Sequence, residues 1–194
     1  PSAPPAPMTD AILPRRGDTS LLVVDLQDVL CTSIGDAADA ALRQTSVLVE
    51  VAATFGWPTV FTEQNATKLG RTRDLLRARL EQLGAPCFDK LEFSCARNAA
   101  FAAEAMPRLR NHVVVCGIEA HICVLQTVAD LQNRGFQCFV PEDAVASRAE
   151  SNRANGLALC QRAGATIVNT ESLLFHALEK AGTDTFRRLA PLIR

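Results

Sequence analysis

The chain has 194 residues, 48% hydrophobic and 21% charged, which suits one globular domain and excludes a disordered or collagen-like polymer. Its formal net charge of −1 lacks the basic excess of nucleic-acid or anionic-membrane binders, and with no Tyr and one Trp it offers no stacking platform for single strands. Seven cysteines, an odd number with no Cys-x-x-Cys pair, argue for reduced thiols in the cytoplasm or an organelle rather than a disulfide framework or zinc knuckle.

The opening Pro1 to Pro7 reads as part of a flexible tail over residues 1–17, with Met8 a candidate native start. It has neither the basic start nor the apolar core of a secretory signal. Residues 18–194 read as a single domain. Ser20 to Asp25 is an apolar run ending on an acid, the pattern of a strand buried on both faces. A helix follows from Ala37 to Phe55, stopped by Gly56-Trp57-Pro58, and then a short strand at Thr59 to Thr62. Arg71 to Leu83 and the alanine-rich Arg97 to Leu109 read as helices, with Phe88 to Ser94 a mixed segment between them. Asn111 to Gly117 is the clearest buried strand and runs into a helix from Ala120 to Arg134. Strand 136–140, helix 149–163, strand 165–168 and a helix capped near Thr170 complete the chain. No apolar run reaches the roughly 18 residues of a membrane span.

Such alternation predicts a three-layer α/β/α sandwich with a largely parallel, Rossmann-like sheet and ligands at the carboxyl ends of the strands. The residues after those strands exclude several chemistries. Leu26-Gln27-Asp28 has none of the glycines of a dinucleotide turn, and no phosphate loop or Gly-x-Ser-x-Gly elbow is present. His112, His121 and His176 lack metal-ligand spacing.

Cys123 lies about one turn into the helix that follows the Val113–Gly117 strand. Amides and the positive dipole end there stabilise a thiolate, and the same amides can hold an oxyanion. A plain buried thiol fits the position equally well. His121, two residues away, does not share its helix face. Asp25 is the better candidate base, or else a loop acid. A carboxylate beside a thiol opposes ionisation and calls for a cation. Only three of the 20 basic residues are lysines; Lys90, in the mixed segment Phe88 to Ser94, is the candidate point charge, although seen alone it reads more readily as a solvated loop lysine. The Arg71, Arg73, Arg77 and Arg79 cluster reads as a solvated helix face.

Four segments, in order, resemble the isochorismatase-like cysteine hydrolase superfamily, in particular its small single-domain isochorismatase domain-containing proteins. They are Leu22-Val23-Val24-Asp25-Leu26-Gln27, Phe61-Thr62-Glu63-Gln64, Lys90 to Ser94, and Gly117-Ile118-Glu119-Ala120-His121-Ile122-Cys123-Val124-Leu125-Gln126-Thr127. The resemblance implies an Asp25-Lys90-Cys123 triad, a cis peptide at Ile118–Glu119, and an oxyanion hole from the Glu119 and Cys123 amides. It places Gln27, Glu63 and Phe93 in the pocket. It implies a homo-oligomer acting on a small molecule, without cofactor, nucleic acid or membrane. Metal-dependent nicotinamidases of the superfamily carry an Asp-x-His pair and a further His near the second strand. Here that region is Glu63-Gln64-Asn65-Ala66-Thr67, so no metal is expected. Close relatives follow Glu-Gln with an aromatic and a proline, where this chain has Asn65-Ala66. Isochorismatase itself cleaves a vinyl ether without needing a Cys nucleophile, so a complete triad favours amide or related acyl chemistry. Two further readings remain open: a non-catalytic or regulatory protein with a redox-sensitive Cys123 or a partner surface, and a binding module with an inert thiol.

Overall fold

The computed structural model describes residues 12–193. The Pro1–Pro7 segment and Met8 lie outside them. Within the expected tail, the Arg15 amide donates to His112 Nδ1 at 2.9 Å and the Arg16 guanidinium to the Ala177 carbonyl at 3.0 Å. The ordered contacts therefore reach back to Arg15.

Seven parallel strands form one sheet: β1 (Thr19–Val24), β2 (Thr59–Gln64), β3 (Cys87–Lys90), β4 (His112–Ile118), β5 (Gln137–Pro141), β6 (Val145–Ala146) and β7 (Thr166–Val168). Their order is β3-β2-β1-β4-β5-β7, with β6 paired to the far end of β4. The helices are α1 (Asp28–Ile34), α2 (Asp36–Phe55), α3 (Ala66–Leu69), α4 (Asp74–Gln82), α5 (Leu125–Asn133), α6 (Glu150–Arg162), α7 (Thr170–Leu178) and α8 (Asp184–Leu189). The parallel sheet and its helical layers are those the alternation of runs predicts.

Every residue of β1 and β4 is buried, because helices cover both faces of the centre of the sheet. Leu21, Val23, Val114, Cys116 and Ile118 pack beneath Leu48 and Val51 of α2 and Leu174 of α7. Leu22, Val24, Val113 and Val115 pack on the opposite side against Val128 and Leu131 of α5 and Leu157 of α6. Full burial of each Val or Leu contributes about 1.5–3 kcal/mol, so these central strands are the stable platform of the site.

The edges differ more from expectation. β3 is an edge strand whose Cys87 and Asp89 are exposed, so it lacks a continuous apolar run. The helix expected over 97–109 instead contains a π-turn at Phe101–Ala105 and a 3-10 turn at Met106–Arg108. Pro107 has no N–H to continue a regular ladder there. Gly117 explains the tight approach of β4 to β1: at φ +117° a Cβ would stand 2.0 Å from the Val24 carbonyl oxygen.

Candidate functional site

The carboxyl ends of β1, β2, β3 and β4 bring the sequence candidates together. Asp25 leaves β1 in the left-handed region at φ +53°, a conformation uncommon outside glycine. Its amide donates to the Thr62 carbonyl at 3.1 Å and its carbonyl accepts from Gln27 at 2.7 Å. Thr62 Oγ1 donates to Asp25 Oδ1 at 2.7 Å, and Lys90 Nζ donates to Asp25 Oδ2 at 2.7 Å. Both side chains of this ion pair are 0% exposed. Lys90 ends β3, in register with Gln64 of β2, which places its stem in the fold and excludes the solvated-loop alternative. Its ammonium also donates to Gln64 Oε1 at 2.7 Å and to the Phe93 carbonyl at 3.4 Å. Burial pulls the Lys90 ammonium down, but the Asp25 carboxylate beside it prevails and holds it above the ordinary lysine value.

Cys123 approaches from the other side. The Ile118–Glu119 peptide at the end of β4 is cis. The chain then turns through a π-helical segment, Ala120–Val124, before α5. The Glu119 carbonyl accepts from the Ile122 amide at 3.0 Å and the Val124 amide at 3.3 Å, one on each side of Cys123. Such π-turns are frequent at functional sites. Cys123 is buried, and its Sγ donates to Gln64 Oε1 at 4.0 Å. Burial first, and then the Asp25 charge, push the Cys123 thiol well above its ordinary value, with Lys90 acting in the opposite direction. Enclosure and a neighbouring carboxylate thus act against the helix start and the ammonium, and favour the S–H form.

Two contacts fasten this turn from outside. The Arg148 amide and guanidinium both bond the Glu119 carboxylate at 2.9 Å. Burial raises the Glu119 carboxyl, but Arg148 more than offsets this and keeps it below the usual carboxylate value. His121 Nδ1 lies 3.0 Å from Ser147 Oγ, directed away from any partnership with Cys123.

The remaining sequence candidates are placed as follows. Gln27 is wholly buried, with its amide bonded to the Gln64 backbone and the Gly70 carbonyl. Glu63 faces away from Gln64, and its Oε1 accepts from the Thr72 amide and hydroxyl and from Arg77 at 2.5 Å. Arg77 is therefore no solvated-face residue: a buried carboxylate requires a counter-charge, and only 15% of the Arg77 side chain is exposed. Phe93 contributes its carbonyl to Lys90 while half of its surface faces solvent.

Among the residues that escaped sequence reasoning are Thr62, which bonds Asp25, and Gln64 and Cys95. Gln64 touches both Lys90 and Cys123, and its signal was the period-two alternation that puts it on the face of Thr62. Cys95 is fully buried with its Sγ 3.7 Å from Thr62 Oγ1, and burial raises its thiol to about 11. No sequence pattern distinguished it from the other buried cysteines. Among the described residues, no three His, Cys, Asp or Glu side chains gather as metal ligands. A separate cleft of about 400 Å³, lined by Trp57, Pro58, Pro86 and Leu109, opens at the opposite, amino-terminal end of the sheet.

A family model described as the isochorismatase domain matches residues 19–172, from the start of β1 into α7. The chain belongs to the isochorismatase domain family. This isochorismatase domain is 33% identical over 177 residues to the secreted isochorismatase effector Isc1 of Phytophthora sojae, covering 90% of this chain and 83% of that protein. The structure titled MAR1 ribonuclease from Caenorhabditis elegans superposes with a TM-score of 0.82 at 28% identity, covering 93% and 92% of the two chains. The YcaC gene product of Escherichia coli, titled an octameric hydrolase of unknown specificity, matches with a TM-score of 0.85 at 22% identity, covering 94% and 89%. The last likeness is one of fold.

Proposed function

We propose that this isochorismatase domain is a metal-independent cysteine hydrolase of a small amide or related carbonyl compound. The observation that carries the reading is the convergence of a buried carboxylate, ammonium and thiol. Lys90 Nζ stands 2.7 Å from both Asp25 and Gln64 Oε1, and that same oxygen is 4.0 Å from Cys123 Sγ. In this reading Cys123 Sγ attacks the substrate carbonyl carbon while its proton passes to Asp25. The oxyanion accepts hydrogen bonds from the Glu119 and Cys123 amides. Collapse breaks the C–N bond, and the leaving amine takes the proton from Asp25. Water then attacks the thioester, Asp25 receives a water proton, and a carboxylic acid departs as the thiol is restored. Lys90 compensates the negative charge that moves between sulfur, carboxylate and oxyanion.

Metal independence is supported by the donor set: Glu63 is bonded to Thr72 and Arg77, and the next residues are Gln64 and Asn65. Phe93 lines the mouth in this reading, while Gln27 and Glu63 brace the wall. The ribonuclease title of the C. elegans relative favours RNA cleavage as a second reading, which the net charge of −1 and the enclosed Asp25–Lys90 pair oppose. The octameric E. coli relative supports a homo-oligomer. Seven free thiols support a reducing compartment, even though the P. sojae relative is named as secreted.

The test is intact-mass analysis after incubation with a panel of small amides, with RNA oligonucleotides as a further arm. An acyl increment on Cys123, absent from Cys123→Ala, is the expected result. Undiminished amide turnover by Cys123→Ala would overturn the mechanism. A reactive Cys123 with no turnover of any amide would favour the regulatory reading.

A further inference from the structure

The bonding around Gln64 is more specific than a pocket wall requires. Its backbone is clamped on both sides by Gln27: the Gln64 amide donates to Gln27 Oε1 at 2.7 Å, and its carbonyl accepts from Gln27 Nε2 at 3.1 Å. Its side-chain Nε2 donates to the Leu91 carbonyl at 2.9 Å, which fixes the orientation of the amide and turns Oε1 inward. That oxygen accepts from Lys90 Nζ and from Cys123 Sγ. The reverse orientation would set an NH₂ group against an ammonium, so the hydrogen-bond network assigns it unambiguously.

An ammonium has three protons. Those of Lys90 are directed to Asp25 Oδ2, Gln64 Oε1 and the Phe93 carbonyl. The proton aimed at Gln64 meets an oxygen that also accepts from the sulfur, and the Asp25 carboxylate likewise faces both groups. A neutral carbonyl oxygen in that place favours the S–H form of Cys123 and the charged form of Lys90 together. It therefore opposes the thiolate that the attack requires.

We infer that Gln64 is a positioning residue whose amide oxygen, shared between Lys90 Nζ and Cys123 Sγ, occupies a Lys90 proton and favours the S–H form of Cys123. This inference rests on the reading of Cys123 as the nucleophile. On activation the Cys123 proton passes to Asp25, and the Lys90 N–H turns from Gln64 Oε1 to the sulfur. No bond other than the S–H and the new carboxyl O–H changes. The titratable groups facing Cys123 are Asp25 from the end of β1, Lys90 from β3 and Cys95 from the turn after β3.

The experiment follows alkylation of Cys123 by iodoacetamide as a function of pH in the full chain, read on the Cys123 peptide by mass spectrometry. Gln64→Met keeps the length and removes the acceptor; Gln64→Glu keeps the shape and adds a negative charge. Folding of each variant is checked by thermal unfolding. The midpoint in Gln64→Met should fall by about one pH unit, the worth of one hydrogen bond, and that in Gln64→Glu should rise. An unchanged or raised midpoint in Gln64→Met overturns the inference, as do shifts of both variants in the same direction. If Gln64→Met fails to fold, an unchanged or lowered midpoint in Gln64→Glu overturns it. Alkylation needs no turnover, so a reactive Cys123 that forms no acyl adduct removes the hydrolase reading while the midpoint shift is still measured. A Cys123 unreactive in all three proteins overturns both.

Discussion

Replacing Lys90 with Met removes the ammonium bonded to Asp25 while keeping most of the buried stem. Because both partners are 0% exposed, the carboxylate left behind has no access to bulk water. Breaking such a pair from one side costs about 3–5 kcal/mol, chiefly as the penalty of an uncompensated buried charge. In a domain of this length 1 kcal/mol moves Tm by about 2–4 °C, so a fall of roughly 6–20 °C is expected in thermal unfolding followed by circular dichroism. The double variant Asp25→Asn/Lys90→Met should recover much of that loss, since neither charge remains. The gap between wild type and Lys90→Met also has a defined pH window. Lys90 is held above its ordinary value of 10.5, so its contribution is complete below that pH and disappears as pH rises through the higher folded value. The gap should therefore be constant from neutrality to about pH 10 and narrow beyond it. A loss below about 1 kcal/mol, or a double variant no more stable than Lys90→Met, would refute the reasoning from burial.

Two other outcomes follow from the backbone and the thiol. A Cβ at Gly156 would stand 2.7 Å from His121 Cα and N, so Gly156→Ala should destabilise the fold by about 1–3 kcal/mol and slow Cys123 alkylation by displacing its turn, whereas native stability with native reactivity would contradict the contact. Because burial and Asp25 raise the Cys123 thiol, its iodoacetamide rate should still be climbing at pH 9.0, the midpoint of an ordinary thiol; a plateau near neutrality would show that Lys90 and the helix start dominate instead.

The central strands were legible because burial on both faces demands an apolar run, and Leu21 to Val24 and Val113 to Cys116 supply it. The edge strand β3 was not, since two of its four residues face solvent and its pattern resembles a loop. Lys90 looked solvated for that reason. Glu63 and Gln64 are adjacent, yet alternation sends one to Thr72 and Arg77 and the other to Lys90 and Cys123. Arg77 looked like a surface charge because its partner is 14 residues away and on another element.

By itself the amino-acid sequence determined the α/β layering, the position of Asp25 after one buried strand and Cys123 after another, and, through four ordered segments, the family. These follow from local periodicity and turn chemistry, which act over a few residues. Only the tertiary structure decided which charges meet: the β2–β3 register that sets Lys90 beside Gln64, the burial that raises the Cys123 thiol, and the amide oxygen between them. Those are separations of 26 to 65 residues along the chain, set by the closing of the sheet and invisible to any local pattern.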